Sequence, residues 1–272
     1  MAITAKDVQA LRQASGLGMM ECKKALAAAD GDMGKAKEAL RAKGIKDMTG
    51  RSDRDAAEGK VFALVTDDQT KGVIVEVNSE TDFTANTDTF VQMIQAVANE
   101  AIKQDAGKVE KTDAIQALID EVRLTTKENV QFGRGEVVGT PSAAGTKVGT
   151  YVHFTGKVGA VLEVEGEVPS ELLRDLCMHI TAATPAEPIA VCEEGVPVDL
   201  LDTEKRIARQ QVIESGKPEH IADKIVQGKI SKFLDQVVLL RQPFVKDEAK
   251  KVGAVLPEGA VVRSFVRCQV GL

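Results

Sequence analysis

The sequence predicts an α+β fold, and three observations predict it. Residues 1 to about 46 carry helical periodicity in three short bursts. Two strand–turn–strand patterns follow, each leading into an amphipathic helix. A pair of long helical stripes then interrupts the second of these units.

The opening segment reads as a compact three-helix unit. Thr4 can cap a first helix bearing Val8 and Leu11, which stops near Ser15-Gly16. Gly18 opens a second helix, Met19 to about Ala29, carrying Met20, Cys22 and Leu26. Asp30-Gly31-Asp32 is a turn that can cap a third, from Met33 to Lys43, closed by Gly44. Met19 and Met20 are adjacent and cannot both point inward comfortably, so one is a candidate exposed contact. Residues 47–58 are polar and aperiodic and read as a linker.

The pattern then changes to strands. Residues 59–65 and 72–77 flank the polar turn Asp67-Asp68-Gln69-Thr70-Lys71 and make a hairpin. The helix at 88–103 follows, with Phe90, Met93, Ile94, Val97, Ala98 and Ala101 on one face. A second hairpin pairs residues 149–154 with 158–164 across Thr155-Gly156-Lys157, and a second helix runs from Ser170 through Leu173, Leu176 and Ile180. Gly72-Val-Ile-Val-Glu-Val echoes Gly159-Ala-Val-Leu-Glu-Val, so the two units are related copies. Extra strands at 129–134 and 260–267 complete them. Leu200, Leu201, Ile207, Ala208 and Val212 form one inserted stripe. Ile221, Ile225, Ile230, Phe233, Leu234 and Val237 form the returning one, after a Ser215-Gly216-Lys217-Pro218 turn. The resulting domain plan is a helical unit at 1–46, a linker at 47–58, a first core subdomain at 59–140 and a second at 141–184 plus 238–272. The helical hairpin is inserted at 185–237.

The junction after the first hairpin is the most informative stretch. Val73-Ile74-Val75-Glu76-Val77 reads as a buried strand, and Asn78-Ser79-Glu80-Thr81-Asp82-Phe83 links it to the next helix. The chain has eight Phe, one Tyr and no Trp, so a phenyl ring on a polar loop stands out. Phe83 either plugs a partner's pocket or folds back over the helix end.

Composition narrows the function class. The 272 residues are 28% charged and 43% hydrophobic, an ordinary soluble composition. A net charge of -6 argues against nucleic acid as the main ligand, because phosphate neutralisation needs clustered Lys and Arg. No apolar run approaches the roughly 20 residues that span a bilayer. The N-terminus carries an early acid and no signal core, which argues against secretion and for a cytoplasmic protein. Cys22, Cys177, Cys192 and Cys268 are scattered, as suits a reducing compartment.

Motifs for chemistry are missing. The run from Gly139 to Lys147 has the wrong spacing for a phosphate-binding loop, and Gly133-Arg134-Gly135 sits within a strand pattern. His153, His179 and His220 lie in separate segments with no metal-ligand spacing, and no nucleophile elbow occurs. The residues point to a protein that binds and is not an enzyme, with no cofactor and no metal.

The assembled motifs resemble the elongation factor Ts family. The stretch Ser15-Gly16-Leu17-Gly18-Met19-Met20-Glu21-Cys22-Lys23-Lys24-Ala25-Leu26 matches one family signature, and Asn78 to Phe83 matches another. Tyr151-Val152-His153, Met178-His179, Ser215 to Pro218 and Gln242-Pro243-Phe244 match further ones in order. The resemblance implies a ubiquitin-associated-like N-terminal domain, a duplicated core, an inserted hairpin, and guanine-nucleotide exchange on elongation factor Tu. It implies that Thr81, Asp82, Phe83 and Thr84 enter the partner's GTPase domain and disturb its magnesium site, with Phe83 as the wedge and Asp82 holding it. It further implies partner contacts by His153 and the Met19-Met20 region, and no nucleotide bound by this chain itself. Longer members continue past the point corresponding to Leu272 with another partner-contacting helix. A homodimer is left open.

Two other readings compete. An adaptor would use its N-terminal helices to recognise a protein and would not need the Thr81–Phe83 loop. An enzyme would gather Glu80, Asp82 and His153 in one cleft as acid–base groups.

Overall fold

The computed structural model describes residues 3–15, 17–49, 54–139, 145–214 and 219–272, with the backbone alone at 44–49 and 219–221. Gly16, the middle of the expected linker, the run from Thr140 to Ala144 and the Ser215–Pro218 turn lie outside the described residues. The fold is α+β. Its elements are α1 (Ala5–Ser15), α2 (Met19–Ala28), α3 (Met33–Thr49), β1 (Glu58–Val65), β2 (Gly72–Ser79), α4 (Asp82–Ala85), α5 (Asp88–Ala101), β3 (Gly107–Lys108), α6 (Asp113–Thr126) and β4 (Gln131–Val138). They continue with β5 (Thr146–Val152), β6 (Val158–Glu165), α7 (Ser170–Ala182), α8 (Val198–Glu214), α9 (Glu219–Val237), β7 (Pro243–Phe244), β8 (Asp247–Lys251), α10 (Val252–Val255) and β9 (Val261–Gln269).

The chain divides into two compact units. One comprises Met1–Phe62, Val75–Glu136 and Cys268–Leu272, the other Ala63–Ile74 and Val137–Arg267. The sheet order β1-β2-β4-β3 mirrors β5-β6-β9: in each, a hairpin's second strand also pairs with a later strand. The echo seen in the sequence is thus an echo of topology.

In the first unit, α1, α2 and α3 enclose Val8, Leu11, Cys22, Leu26, Ala36 and Leu40. Thr4 and Asp7 cap α1 reciprocally: the Thr4 N–H donates to Asp7 Oδ2 at 2.9 Å and the Asp7 N–H to Thr4 Oγ1 at 3.3 Å. Asp32 caps α3 by accepting from the Lys35 N–H at 3.0 Å. The expected stop at Gly44 is corrected, because α3 runs on to Thr49. A glycine costs a helix interior only about 1 kcal/mol, which does not end a helix by itself. The expected linker is shortened to match, since 47–49 are helical and β1 already begins at Glu58.

The α5 stripe is buried residue for residue as the spacing predicts: Phe90, Met93, Ile94, Val97, Ala98 and Ala101 all face inward. The sequence reading missed α6. Its signals were present: Thr112 accepts from the Ile115 N–H at 3.3 Å as an N-cap, and Ile115, Ile119 and Val122 are buried on one face. Within this unit β2 carries one buried acid, Glu76. It is paired with Arg134 at 2.9 Å and accepts from Asn78 Nδ2 at 2.9 Å, so its charge is compensated.

In the second unit β5 and β6 are antiparallel, with Thr146 opposite Glu165 and Val152 opposite Gly159. The helix α7 packs on this hairpin. Gly149 makes the packing possible, because a Cβ there would lie 2.7 Å from Leu173 Cβ. Leu162, Val164, Leu173, Leu176, Cys177 and Ile180 fill the space, with Leu239, Phe244 and Val252 from later segments. The helices α8 and α9 pack on each other, burying Ala208 and Val212.

His179 ties two sequence motifs together. Its Nε2 lies 2.9 Å from Gln242 Oε1, and its Nδ1 accepts from the Val245 N–H at 3.2 Å. The ring is therefore neutral, with its proton on Nε2. Burial lowers the His179 pKa from the ordinary 6.5, partly offset by the Gln242 bond. Because the folded value lies below 6.5, the site's full stability is present above that pH and is lost as pH falls through the folded value. We expect the unfolding midpoint to drop as pH falls below about 6.5, and His179→Gln to flatten part of that slope. A variant with an unchanged profile would remove His179 as the cause.

Candidate partner-binding site

The Thr81–Thr84 segment is a capped helical turn and not an open loop. Thr81 Oγ1 accepts from the Thr84 N–H at 3.2 Å, which starts the short α4. Thr87 then caps α5 by accepting from the Phe90 N–H at 3.3 Å. Asn86 Nδ2 closes the turn by donating to Asp82 O at 2.9 Å, and Thr87 Oγ1 donates to Thr84 O at 2.8 Å. Two N-caps in succession explain why so polar a stretch holds one shape.

A second brace comes from the segment after α6. Glu128 accepts from Thr81 Oγ1 at 2.7 Å and from the Thr81 N–H at 3.2 Å. Glu80 accepts from the Asn129 N–H at 2.6 Å and from Arg54 Nη1 at 3.3 Å. Glu80 is thus a structural strut, which removes one member of the acid–base cleft considered above. The sequence reading did not name Glu128, and it named Asn129 only as the start of a strand, whereas β4 begins at Gln131. Their partners lie far away in the chain, so no local pattern could have found them.

On this platform Phe83 is 80% exposed. The alternative in which it folds back over the helix end is corrected: Thr84 and Ala85 fill that inner position and turn Phe83 outward. Asp82 is exposed beside it, and its carboxylate meets no donor among the described residues. Thr84 is buried and serves the turn. So of the four expected site residues, Asp82 and Phe83 face solvent while Thr81 and Thr84 hold them.

Met19 and Met20 are both exposed, at 52% and 64%. The adjacency argument expected one of them outside, and the structure exposes both. Cys22 and Leu26 alone reach the core, because they lie one helical turn apart and Met20 falls off that stripe.

His153 belongs to the second unit. It was expected within a strand, but β5 ends at Val152 and His153 opens the turn. It is half-buried, and its Nδ1 is 2.9 Å from Thr155 Oγ1. Among the described residues no group of three or more His, Cys, Asp or Glu is placed to hold a metal, and no helix is long and apolar enough to cross a membrane. Burial raises the Cys177 thiol pKa far out of range and pushes that of Cys268 up to about 11, so neither is a ready nucleophile.

An α+β chain with exposed aromatic side chains on braced turns is the class defined so far. Residues 80–272 match the family model described as Elongation factor TS. Elongation factor Ts of Thioalkalivibrio sulfidiphilus is 43% identical, covering 100% of this chain and 93% of that protein. Elongation factor Ts of Halorhodospira halophila is 40% identical over 100% and 93%, and that of Aquifex aeolicus 34% over 100% and 99%. The chain belongs to the elongation factor Ts family.

Proposed function

We propose that this chain is a guanine-nucleotide exchange factor for elongation factor Tu in translation elongation. The observation that carries the reading is Phe83, 80% exposed on a turn braced from two sides, with an unpartnered carboxylate beside it. An aromatic held rigidly in water loses little conformational freedom when a partner buries it. In this reading Phe83 lodges between partner helices, Asp82 binds partner polar groups, and Thr81 and Thr84 keep both in place. The partner's Mg²⁺ is thereby displaced, which leaves the GDP phosphate charges less compensated and speeds release. Met19, Met20 and His153 add contacts. The chain binds no nucleotide itself and catalyses no covalent step. It works in the cytoplasm.

The domain plan follows the same reading. The N-terminal helices, through Thr49, form a ubiquitin-associated-like domain, and 58–140 and 141–184 with 238–272 are the two core copies. Residues 185–237 are an inserted helical hairpin. Exchange requires only that the factor prefer the nucleotide-free partner, and reciprocity then makes nucleotide expel the factor by the same free energy.

The test is release of a fluorescent GDP analogue from elongation factor Tu with catalytic amounts of the chain. Acceleration well above the intrinsic rate supports the proposal; an unchanged rate refutes it. In the same assay Glu128→Ala should lower exchange about fivefold, the equivalent of about 1 kcal/mol, as the two exposed hydrogen bonds to Thr81 are lost. The Thr81 turn would then sample other shapes before docking. Full activity in that variant would show that the brace is dispensable.

A further inference from the structure

The turn between β5 and β6 displays a residue that the site so far does not use. Phe154 is 91% exposed, more than Phe83. Its ring nevertheless has a neighbour to rest against. The centroids of Phe154 and His153 are 4.3 Å apart at an interplanar angle of 42°. The turn beneath them is closed by the His153 N–H donating to Val158 O at 2.9 Å and the Gly156 N–H to His153 O at 2.8 Å. Gly156 takes φ +71, which allows the reversal, and Thr155 Oγ1 holds His153 Nδ1 at 2.9 Å. A phenyl ring on this scaffold covers nothing of its own unit. It is kept in water at a cost of apolar hydration, on a turn whose backbone is closed by hydrogen bonds.

We propose that Phe154 is a second aromatic anchor, buried by the same GTPase partner that Phe83 engages, with His153 as the positioning residue that backs its ring. This rests on the exchange-factor reading. The partner is argued from adjacency: any surface that reaches His153 in its turn meets the Phe154 ring tilted against it. The roles of the two anchors differ. Phe83 sits beside a free carboxylate that can engage polar groups near a cation site. Phe154 has only an imidazole behind it and brings apolar area. It therefore sets how tightly the factor docks, and Phe83 sets how fast nucleotide leaves once docked.

The experiment measures GDP release against factor concentration. For Phe154→Ala the half-saturating concentration should rise about tenfold or more, while the rate at saturation stays within about twofold of wild type. The melting temperature should not move, since the ring contributes almost no burial. His153→Ala should weaken docking less than Phe154→Ala, and the double variant should lose less than the sum of the two single losses. Strict additivity would overturn the backing role of His153. A photo-reactive benzoylphenylalanine at position 154 should cross-link to elongation factor Tu. Cross-linking only to a second copy of this chain would overturn the proposal. Wild-type chain that fails to accelerate release would sink the exchange reading. Wild-type acceleration matched by Phe154→Ala at every concentration would sink the second anchor alone.

Discussion

Changing Asp82 and Phe83 together to alanine is expected to reduce nucleotide release from elongation factor Tu by about two orders of magnitude, with Phe83→Ala alone accounting for more than half of that in free energy. The expectation comes from where the two side chains sit. Phe83 is 80% exposed, and Asp82 is exposed with no donor on its carboxylate among the described residues. Neither contributes to the fold, so their removal spends no stability. The caps at Thr81 and Thr87 use backbone and threonine groups that both substitutions leave intact. The double variant should therefore keep the wild-type melting temperature. Circular dichroism with heating checks that half of the prediction and stopped-flow nucleotide release checks the other. A double variant that exchanges normally would show that the exposed ring is incidental. One that melts early would show that Phe83 packs against its own chain.

The parts of this fold that were legible in the sequence are those with a local signal. The α5 stripe could be read because one face of a helix repeats every three or four residues, and all of its predicted positions are buried. The hairpins could be read from apolar runs around polar turns. The helix α6 was less legible because its apolar stripe, Ile115, Ile119 and Val122, is half as long as that of α5. The end of α3 was misread because glycine is a weak stop, and both Met19 and Met20 are exposed because a ten-residue helix buries only a narrow stripe. At the site, identity was legible and geometry was not. The run Thr81-Asp82-Phe83 announced itself as a family signature. Nothing in it said that Thr81 would cap a turn, that Glu128 would brace it, or that Phe83 would point outward. Those facts depend on contacts between segments distant in the chain. Phe154 was hidden for a related reason: alternation along β5 could not reveal that the strand ends at Val152.

Phe90→Ala should produce the opposite outcome to Phe83→Ala. Phe90 is 0% exposed and heads the fully buried side chains by size. Truncating a buried phenylalanine costs about 3–5 kcal/mol, partly from lost burial and partly from the cavity left behind. A domain's whole stability is about 5–15 kcal/mol, so this single change removes a large share of it. The loss should appear as a lower urea midpoint with little change in slope. Its functional effect should be indirect. Phe90 lies in the first turn of α5, the helix whose cap, Thr87, also closes the turn carrying Phe83. At low temperature, where the variant is folded, that turn is still capped and exchange should stay near wild type. On warming, activity should fall in step with unfolding. An equal loss of exchange at all temperatures would mean that α5 positions the wedge through its core packing. An unchanged urea midpoint would contradict the burial of Phe90 itself.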